Sequence, residues 1–521
     1  MQTLADAARG VAMPATIHFQ RRAATWLNEL RRLAERTGVA PTTIGGTPYD
    51  PFDALRQPII IDGGNHLANL TLLRQIAQRS GGRPRLTGVS AEAAAVLALC
   101  PMLADVPELP AQGSRSLRTM AWLARRAVQL RASVGSARMG PKARRRQLAV
   151  PLTAMHVADM LPEAEKLRER HGVETVFGLI DRRFAPQLDR AGYPWFGIMH
   201  GRFGDGLRAA ALVPAQVRLD ALNETLSRCI EGFDADERRL LGAATRRAIR
   251  ADLPRAALFT ASFAAAVREL KPDLVRVGNP FVIEGRITGR VSETLGVPSA
   301  VVEHGVIFGD DPKWQECPTS LVCAWGLPSQ RALLANGVPR ERITITGSPR
   351  FDEIFARFSA RDRAPADDDC ILVAASGPGD QTRLEHHQAL IRILHDAADR
   401  TPHIRWRVKL HPKDRAEFYR RGPADRLEIV EPDRSRDGIQ IFEMLGHARA
   451  AVTERSSAAV DAMALGVPVI AVNVWPDGKG ITGIEFLERG CTRMVRSGEE
   501  LAREADRAWR GEPNPTTDAA A

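Results

Sequence analysis

Apolar residues along the chain fall into short β-branched runs, each followed by a Gly- or Ser-containing turn and then a helical pattern. The runs are Pro58–Asp62, Glu174–Ile180, Leu274–Val277, Ser299–Glu303, Ile343–Thr346, Ile371–Ala375, Trp406–Leu410, Ala450–Thr453 and Val467–Val472. Short apolar strands alternating with helices predict a parallel α/β architecture in two doubly wound layers. The polar stretch 358–369 (FSARDRAPADDD) breaks the rhythm and reads as a linker. A C-terminal Rossmann-like domain is therefore expected over 370–510, with a frayed tail over 511–521. The first Rossmann unit can open at Leu148–Leu167 or at Pro58–Ala77. The loop Asp62-Gly63-Gly64-Asn65 favours the second. That choice makes 1–56 a helical extension, 57–357 the N-terminal Rossmann-like domain, and 113–147 an insertion within it.

Composition agrees with a folded chain of more than one domain. The 521 residues are 44% hydrophobic and 26% charged, and the mean hydropathy is -0.20. The six cysteines (100, 229, 317, 323, 370 and 491) show no CxxC pair and no metal-ligand spacing, so reduced thiols are expected. The start of the chain lacks a basic region followed by a long apolar run, and no apolar run approaches the ~20 residues of a membrane span. A cytoplasmic protein is expected.

Three features of the C-terminal half fall at strand ends, where open parallel sheets bind ligands. Ser376-Gly377-Pro378-Gly379-Asp380 follows a strand and precedes a helix. Its glycines allow backbone to approach a phosphate facing helix N–H groups; the alternative is an ordinary βα turn. Lys409-Leu410-His411-Pro412 closes another strand. Pro412 biases His411 towards an extended conformation, placing its imidazole at the sheet edge beside Lys409. Thr453-Glu454-Arg455-Ser456-Ser457 precedes a helix that either serine can cap. Asp461, one turn after Ser457, shares its face and can accept from ribose hydroxyls. Together the three favour nucleotide binding.

The segment TERSSAAVDAMALGVPVIAV resembles the nucleotide-binding helix of GT-B glycosyltransferases, and KLHP resembles their His-Pro motif. A His-Pro followed by a Ser-Ser resembles bacterial capsule polysialyltransferases, Kdo transferases and CDP-glycerol glycerophosphotransferases. Ile343–Glu353 (ITITGSPRFDE) resembles the end of a first GT-B domain, a crossing that UDP-N-acetylglucosamine 2-epimerases share. The resemblance runs from Val301 to Val495. It implies two Rossmann-like domains facing a cleft, and a metal-independent transferase of polysaccharide biosynthesis without a cofactor. Its donor would be a nucleotide-activated sugar or polyol phosphate, CMP- or CDP-linked by preference, and its acceptor a surface or lipid-linked glycan. By that resemblance His411, Ser456 and Ser457 would hold the donor diphosphate or phosphate, and Asp461 the ribose; Ser376, Gly377, Gly379 and Lys409 join them by their strand-end positions alone. An isomerase like the 2-epimerases, or a non-catalytic nucleotide-binding protein, are the alternatives.

On the other domain, Val301–Phe308 (VVEHGVIF) places Glu303 and His304 just after a strand, with Gly305 allowing close backbone approach. By the same resemblance, the His-Gly dipeptide serves catalysis at the cleft. A neutral His304 can take a proton from an acceptor hydroxyl, and Glu303 can orient it or be the base itself. The alternative is a strand-end histidine bonded to backbone. His156 and His200 are further candidates on this face. Asp310-Asp311 lacks the spacing of a metal-binding motif and reads as a solvated turn.

The charge excess of +10 is local. Ten basic residues and no acidic one lie between Gly113 and Gln147, and without them the chain is formally neutral. On a helical wheel Arg115, Arg118, Arg125 and Arg126 cluster with Trp122 opposite an apolar face, followed by Lys142, Arg144, Arg145 and Arg146. Basic amphipathic helices of this kind lie on anionic membranes, at ~1 kcal/mol per basic residue near the surface. A solvated Arg-rich loop is the alternative, and the lack of interleaved aromatics or a binding motif argues against nucleic acid. The expected outcome is co-flotation with anionic liposomes that disappears when the basic segment is removed.

Overall fold

The computed structural model describes residues 2–3, 7, 11, 16–38, 42–44, 47–87, 89, 91–105, 145–199, 213–309, 311–348, 351–352, 369–374, 376–377, 384–411, 414–421, 426–432, 440–454, 456–475 and 492–512. Two wholly parallel sheets organise them. The first contains β1 (Arg145–Val150), β2 (Val173–Leu179), β3 (Trp195–Gly197), β4 (Leu274–Val277), β5 (Ser299–Val302), β6 (Leu321–Ala324) and β7 (Ile343–Ile345). Their spatial order is 3-2-1-4-5-6-7. The second contains β8 (Cys370–Val373), β9 (Trp406–Lys409), β10 (Leu427–Val430), β11 (Ala448–Thr453), β12 (Val469–Val472) and β13 (Arg493–Val495), in the order 10-9-8-11-12-13. Both are doubly wound Rossmann-like sheets, the two-domain arrangement of a GT-B fold. In each, the strand order reverses beside the first strand, so a crevice opens at β1/β4 and at β8/β11.

Eight of the nine strands expected from the sequence are present. The exception is Pro58–Asp62, which is helical. Helix Pro51–Pro58 runs through a π turn, Ile59–Gly63, into helix Gly64–Arg79. A short apolar run between turn residues has the same pattern in a buried helix as in a strand, and packing decides between them. Ile59 and Ile60 are fully buried among helices. Gly63 and Gly64 serve helix packing rather than a strand-to-helix loop. A Cβ on Gly63 would lie 2.8 Å from Leu241, and one on Gly64 3.1 Å from the Gln20 backbone. The first sheet therefore opens at β1, so the helical part of the chain reaches past residue 56.

These N-terminal helices share one hydrophobic core with the first sheet. Trp26, Leu55, Ile59 and Ile60 pack in the same cluster as Leu148, Val150, Val275 and Val277. The long helix Ala235–Leu270 lies between them, started by a capping box of Asp234 and Glu237. Arg145 and Arg146, expected on a basic surface, begin β1. Arg146 is buried, with its guanidinium on Glu174 at 2.8 Å and on the Leu270 carbonyl. A pleated strand alternates its side chains between faces, which turns Arg146 inwards while Arg145 stays exposed. A deletion that spares the sheet must stop at residue 144. The rest of the basic segment and the expected linker up to residue 368 lie outside the described residues. No helix among the described residues is long and apolar enough to cross a membrane.

A buried ion cluster ties the helical layer to the first sheet's flank. Asp53, in helix Pro51–Pro58, accepts from Arg286 Nε and Nη2 at 3.1 and 2.8 Å, and Arg290 Nε lies 3.3 Å from its other oxygen. The side chains of Arg286 and Asp53 are 1% and 5% exposed. Truncating Asp53 strands a buried guanidinium, a loss of about 3–5 kcal/mol. Asp53→Ala is expected to lower the unfolding free energy read from the first urea transition by that amount.

Candidate active site

The crevice of the first sheet is lined by histidines. β1 ends at Val150, and Thr153 caps helix Ala154–His171 by accepting from the His156 amide. His156, one turn in, is 3% exposed. Its Nδ1 accepts a hydrogen bond from the Leu152 amide at 3.2 Å. Gly278, just after β4, leaves room for this ring, since a Cβ there would meet His156 Nδ1 at 3.0 Å and the Val150 carbonyl at 2.9 Å. From the end of β5, His304 sets its ring edge-on to His156, with centroids 5.3 Å apart. Glu163, Arg276, Glu303, Trp325 and Ser348 line the same pocket.

Both imidazoles are held neutral. Burial pushes His156 down to about 3, helped by His304 and Arg276. Burial, with Arg276 and then Lys313, pushes His304 down to about 4. Arg276 itself is buried and paired with Glu163 at 2.9 Å. Glu303 is pushed up to about 7 by burial, opposed by hydrogen bonds from the Trp325 amide and Ser329 hydroxyl, both at 2.7 Å. Those bonds commit both carboxylate oxygens to the start of helix Leu327–Ala335. Glu303 therefore anchors the loop that carries His304 rather than gripping the imidazole. Asp311, expected in a solvated turn, is buried and pairs with Lys313 at 3.1 Å.

On the second sheet, three of the predicted features meet at the carboxyl ends of β8, β9 and β11. Ser376 and Gly377 follow β8, Lys409 ends β9 with His411 two residues on, and Ser456 and Ser457 precede helix Ala458–Ala464. The β8 and β11 loops touch, since the Ser376 amide donates to Glu454 Oε1 at 3.2 Å. That N–H, expected to face a phosphate, is engaged by a carboxylate. Ser456 Oγ accepts from the Ala458 amide at 3.2 Å, while Ser457, the N-cap residue, makes no side-chain cap bond to the helix. Asp461 is buried, at 3% exposure. Gly379 and His200 lie outside the described residues.

Sequence reasoning missed a buried cluster beneath this edge. His387 Nε2 lies 3.2 Å from Asp414 Oδ1, and the Tyr419 hydroxyl donates to Asp414 Oδ2 at 2.7 Å. Hydrogen bonds from His387 and Tyr419, with the His387 charge, hold the Asp414 carboxyl below its ordinary range against the effect of burial. Glu454 is fully buried and pushed up by that burial. Glu454 stood inside the quoted Ser-Ser motif; His387 and Asp414 carried no signal, being 27 residues apart and joined only by the sheet.

The two domains meet at these edges. Ser457 Oγ, of the second, accepts from the Val306 amide, of the first, at 3.2 Å. A Cβ on Gly305 would lie 3.2 Å from the same oxygen, so the His304-Gly305 turn and the Ser456-Ser457 turn are in direct contact.

No protein family's sequence profile and no curated protein's sequence matches the chain. Solved structures do resemble it in fold. A Listeria monocytogenes protein assigned as a UDP-N-acetylglucosamine 2-epimerase is 15% identical, covering 71% of this chain and 89% of its own, with a TM-score of 0.45. The Neisseria meningitidis UDP-GlcNAc 2-epimerase bound to UDP-GlcNAc is 12% identical, covering 70% and 91%, at 0.41. A Rickettsia africae glycosyltransferase is 13% identical, covering 70% and 88%, at 0.40.

The depressed histidines predict an acid-sensitive protein. In the unfolded chain a histidine protonates near pH 6.5, whereas His156 and His304 in the fold do so only near 3 and 4. Between these values the unfolded state binds more protons, so stability falls as pH drops from about 6.5 towards 4. Glu303, shifted the opposite way, adds stability at low pH that is lost as pH rises through about 7. The double variant His156→Asn/His304→Asn is expected to show a flatter fall in melting temperature than the wild type over pH 6.5 to 4.

Proposed function

We propose that the chain is a GT-B transferase that moves a sugar or polyol-phosphate unit from a nucleotide-activated donor to a glycan acceptor. One observation carries the proposal. A neutral, ligand-accessible imidazole, His304, stands at the crevice of one Rossmann-like sheet, one residue from the contact with the Ser456-Ser457 turn of the other. A neutral imidazole can accept the proton of an attacking hydroxyl, a contribution of typically ~10²–10⁴ in rate. The donor is proposed to lie along the carboxyl edge of β8, β9 and β11, its phosphates near Lys409, His411 and the Ser456-Ser457 turn. The acceptor enters from the first domain's pocket. A CMP- or CDP-linked donor is the first choice, on the His-Pro and Ser-Ser resemblance. The basic segment before residue 145 is proposed, on its charge pattern alone, to hold the cleft at an anionic membrane.

A second reading is favoured by Glu303. A carboxyl pushed up to about 7 beside two neutral imidazoles is an acid–base set that suits epimerising a nucleotide sugar without any acceptor. Incubation with UDP-N-acetylglucosamine alone separates the two, epimerised product supporting the isomerase.

For the transferase, a thermal-shift screen with CMP, CDP and UDP identifies the nucleotide, and turnover of the matching donor follows. His304→Ala is expected to keep the nucleotide shift and lose roughly 10²–10⁴ in transfer, while His411→Ala weakens the nucleotide shift. Full transfer activity in both variants would overturn the assignment.

A further inference from the structure

The first-domain pocket has two buried N–H donors with no acceptor among the described residues. His156 Nδ1 is occupied as an acceptor by the Leu152 amide, and the ring is neutral, so its one proton is on Nε2. That nitrogen is buried and has no partner. The indole Nε1 of Trp325, donor only, is likewise buried without a partner and lines the same pocket. His304, edge-on to His156, makes no hydrogen bond with the described residues, leaving an imidazole nitrogen able to accept. Buried donors of this kind are ordinarily satisfied, and two in one pocket indicate that a ligand supplies the acceptors.

The ligand's chemistry follows from that inventory. A carboxylate or a phosphate ester dianion offers only acceptors and leaves the accepting nitrogen of His304 unused. A hydroxyl accepts through its lone pair and donates its proton, meeting both needs at one atom. We infer that this pocket is a polyol seat, in which His156 Nε2–H and Trp325 Nε1–H bind the hydroxyl oxygens of the acceptor and His304 receives the proton of the reacting one.

The seat deepens the transferase reading and, for the transfer step alone, rests on it. In that step the seated hydroxyl oxygen forms its bond to the donor carbon, or to phosphorus for a polyol phosphate. The bond from that atom to the nucleotide's oxygen breaks, its electron pair leaving with the nucleotide, and the hydroxyl proton ends on His304. His156 keeps its single proton throughout this step; it is a positioning residue for the oxygen.

Imidazole ¹⁵N spectra of the full chain with labelled histidine test the seat without requiring turnover. The expected result is His156 as the Nε2–H tautomer, with its signal and that of His304 moving together and saturably on addition of glycerol or methyl β-glucoside, and not of sodium sulfate. His156→Asn keeps an acceptor for the Leu152 amide but lacks a donor at the Nε2 position; it should weaken the polyol response at least tenfold. His156→Gln, which restores an N–H there, should recover it. A purely structural His156 predicts the reverse order. An Nδ1–H tautomer, a response to sulfate instead of polyol, or no saturable response overturns the seat. Failure of donor turnover with the polyol response intact overturns the transferase reading and leaves the seat standing.

Discussion

The short strap Glu303–Phe308 is the constraint on which the site depends. Its first residue is fixed by two hydrogen bonds from the start of helix Leu327–Ala335. Ile307 packs into the first domain's core, whereas Val306 and Phe308 pack against the core of the second. The Phe308 carbonyl is held by Asn336 at 2.6 Å. A chain segment that alternates its side chains between two cores cannot shift without disturbing both. His304 lies within it, so its place is set by the packing of both domains rather than by hydrogen bonds to its own ring.

The electrostatics of the pocket follow from burial together with pairing. Arg276 is matched by Glu163 and Lys313 by Asp311, yet both cations still act on His304 at close range. Desolvation and positive neighbours act in the same direction on an imidazole, favouring the neutral form. A carboxyl under the same desolvation is pushed the other way, and Glu303 is left near neutrality. One pocket thus contains a neutral imidazole able to accept a proton, His304, and a carboxyl pushed up to about 7. Acid–base chemistry on hydroxyls needs this separation of roles.

The second domain's edge is organised differently. There the loops after β8 and β11 are tied by a buried carboxylate, Glu454, above the His387–Asp414–Tyr419 cluster. Such a network makes the loop geometry rigid at the expense of a backbone donor, the Ser376 amide.

The sequence by itself determined the parallel α/β class, eight of the thirteen strands in the two sheets, and the strand-end residues His304, His411, Ser456 and Ser457. Alternation of short apolar runs with helices is a local signal, and residues at strand ends inherit their place from it. It also suggested His156 and His304 on one face without joining them. Only the tertiary structure decided that Pro58–Asp62 is helix, because a buried helix and a buried strand share the same apolar pattern and packing against Leu241 and Gln20 settles the matter. It alone decided that Arg146 is an interior ion pair rather than part of a surface, that Asp461 is buried, and that Glu303 anchors helix Leu327–Ala335. The His156–His304 pair and the His387–Asp414 cluster join residues separated by whole βα units. Such contacts arise from strand order, and strand order is set by long-range packing that no local pattern encodes.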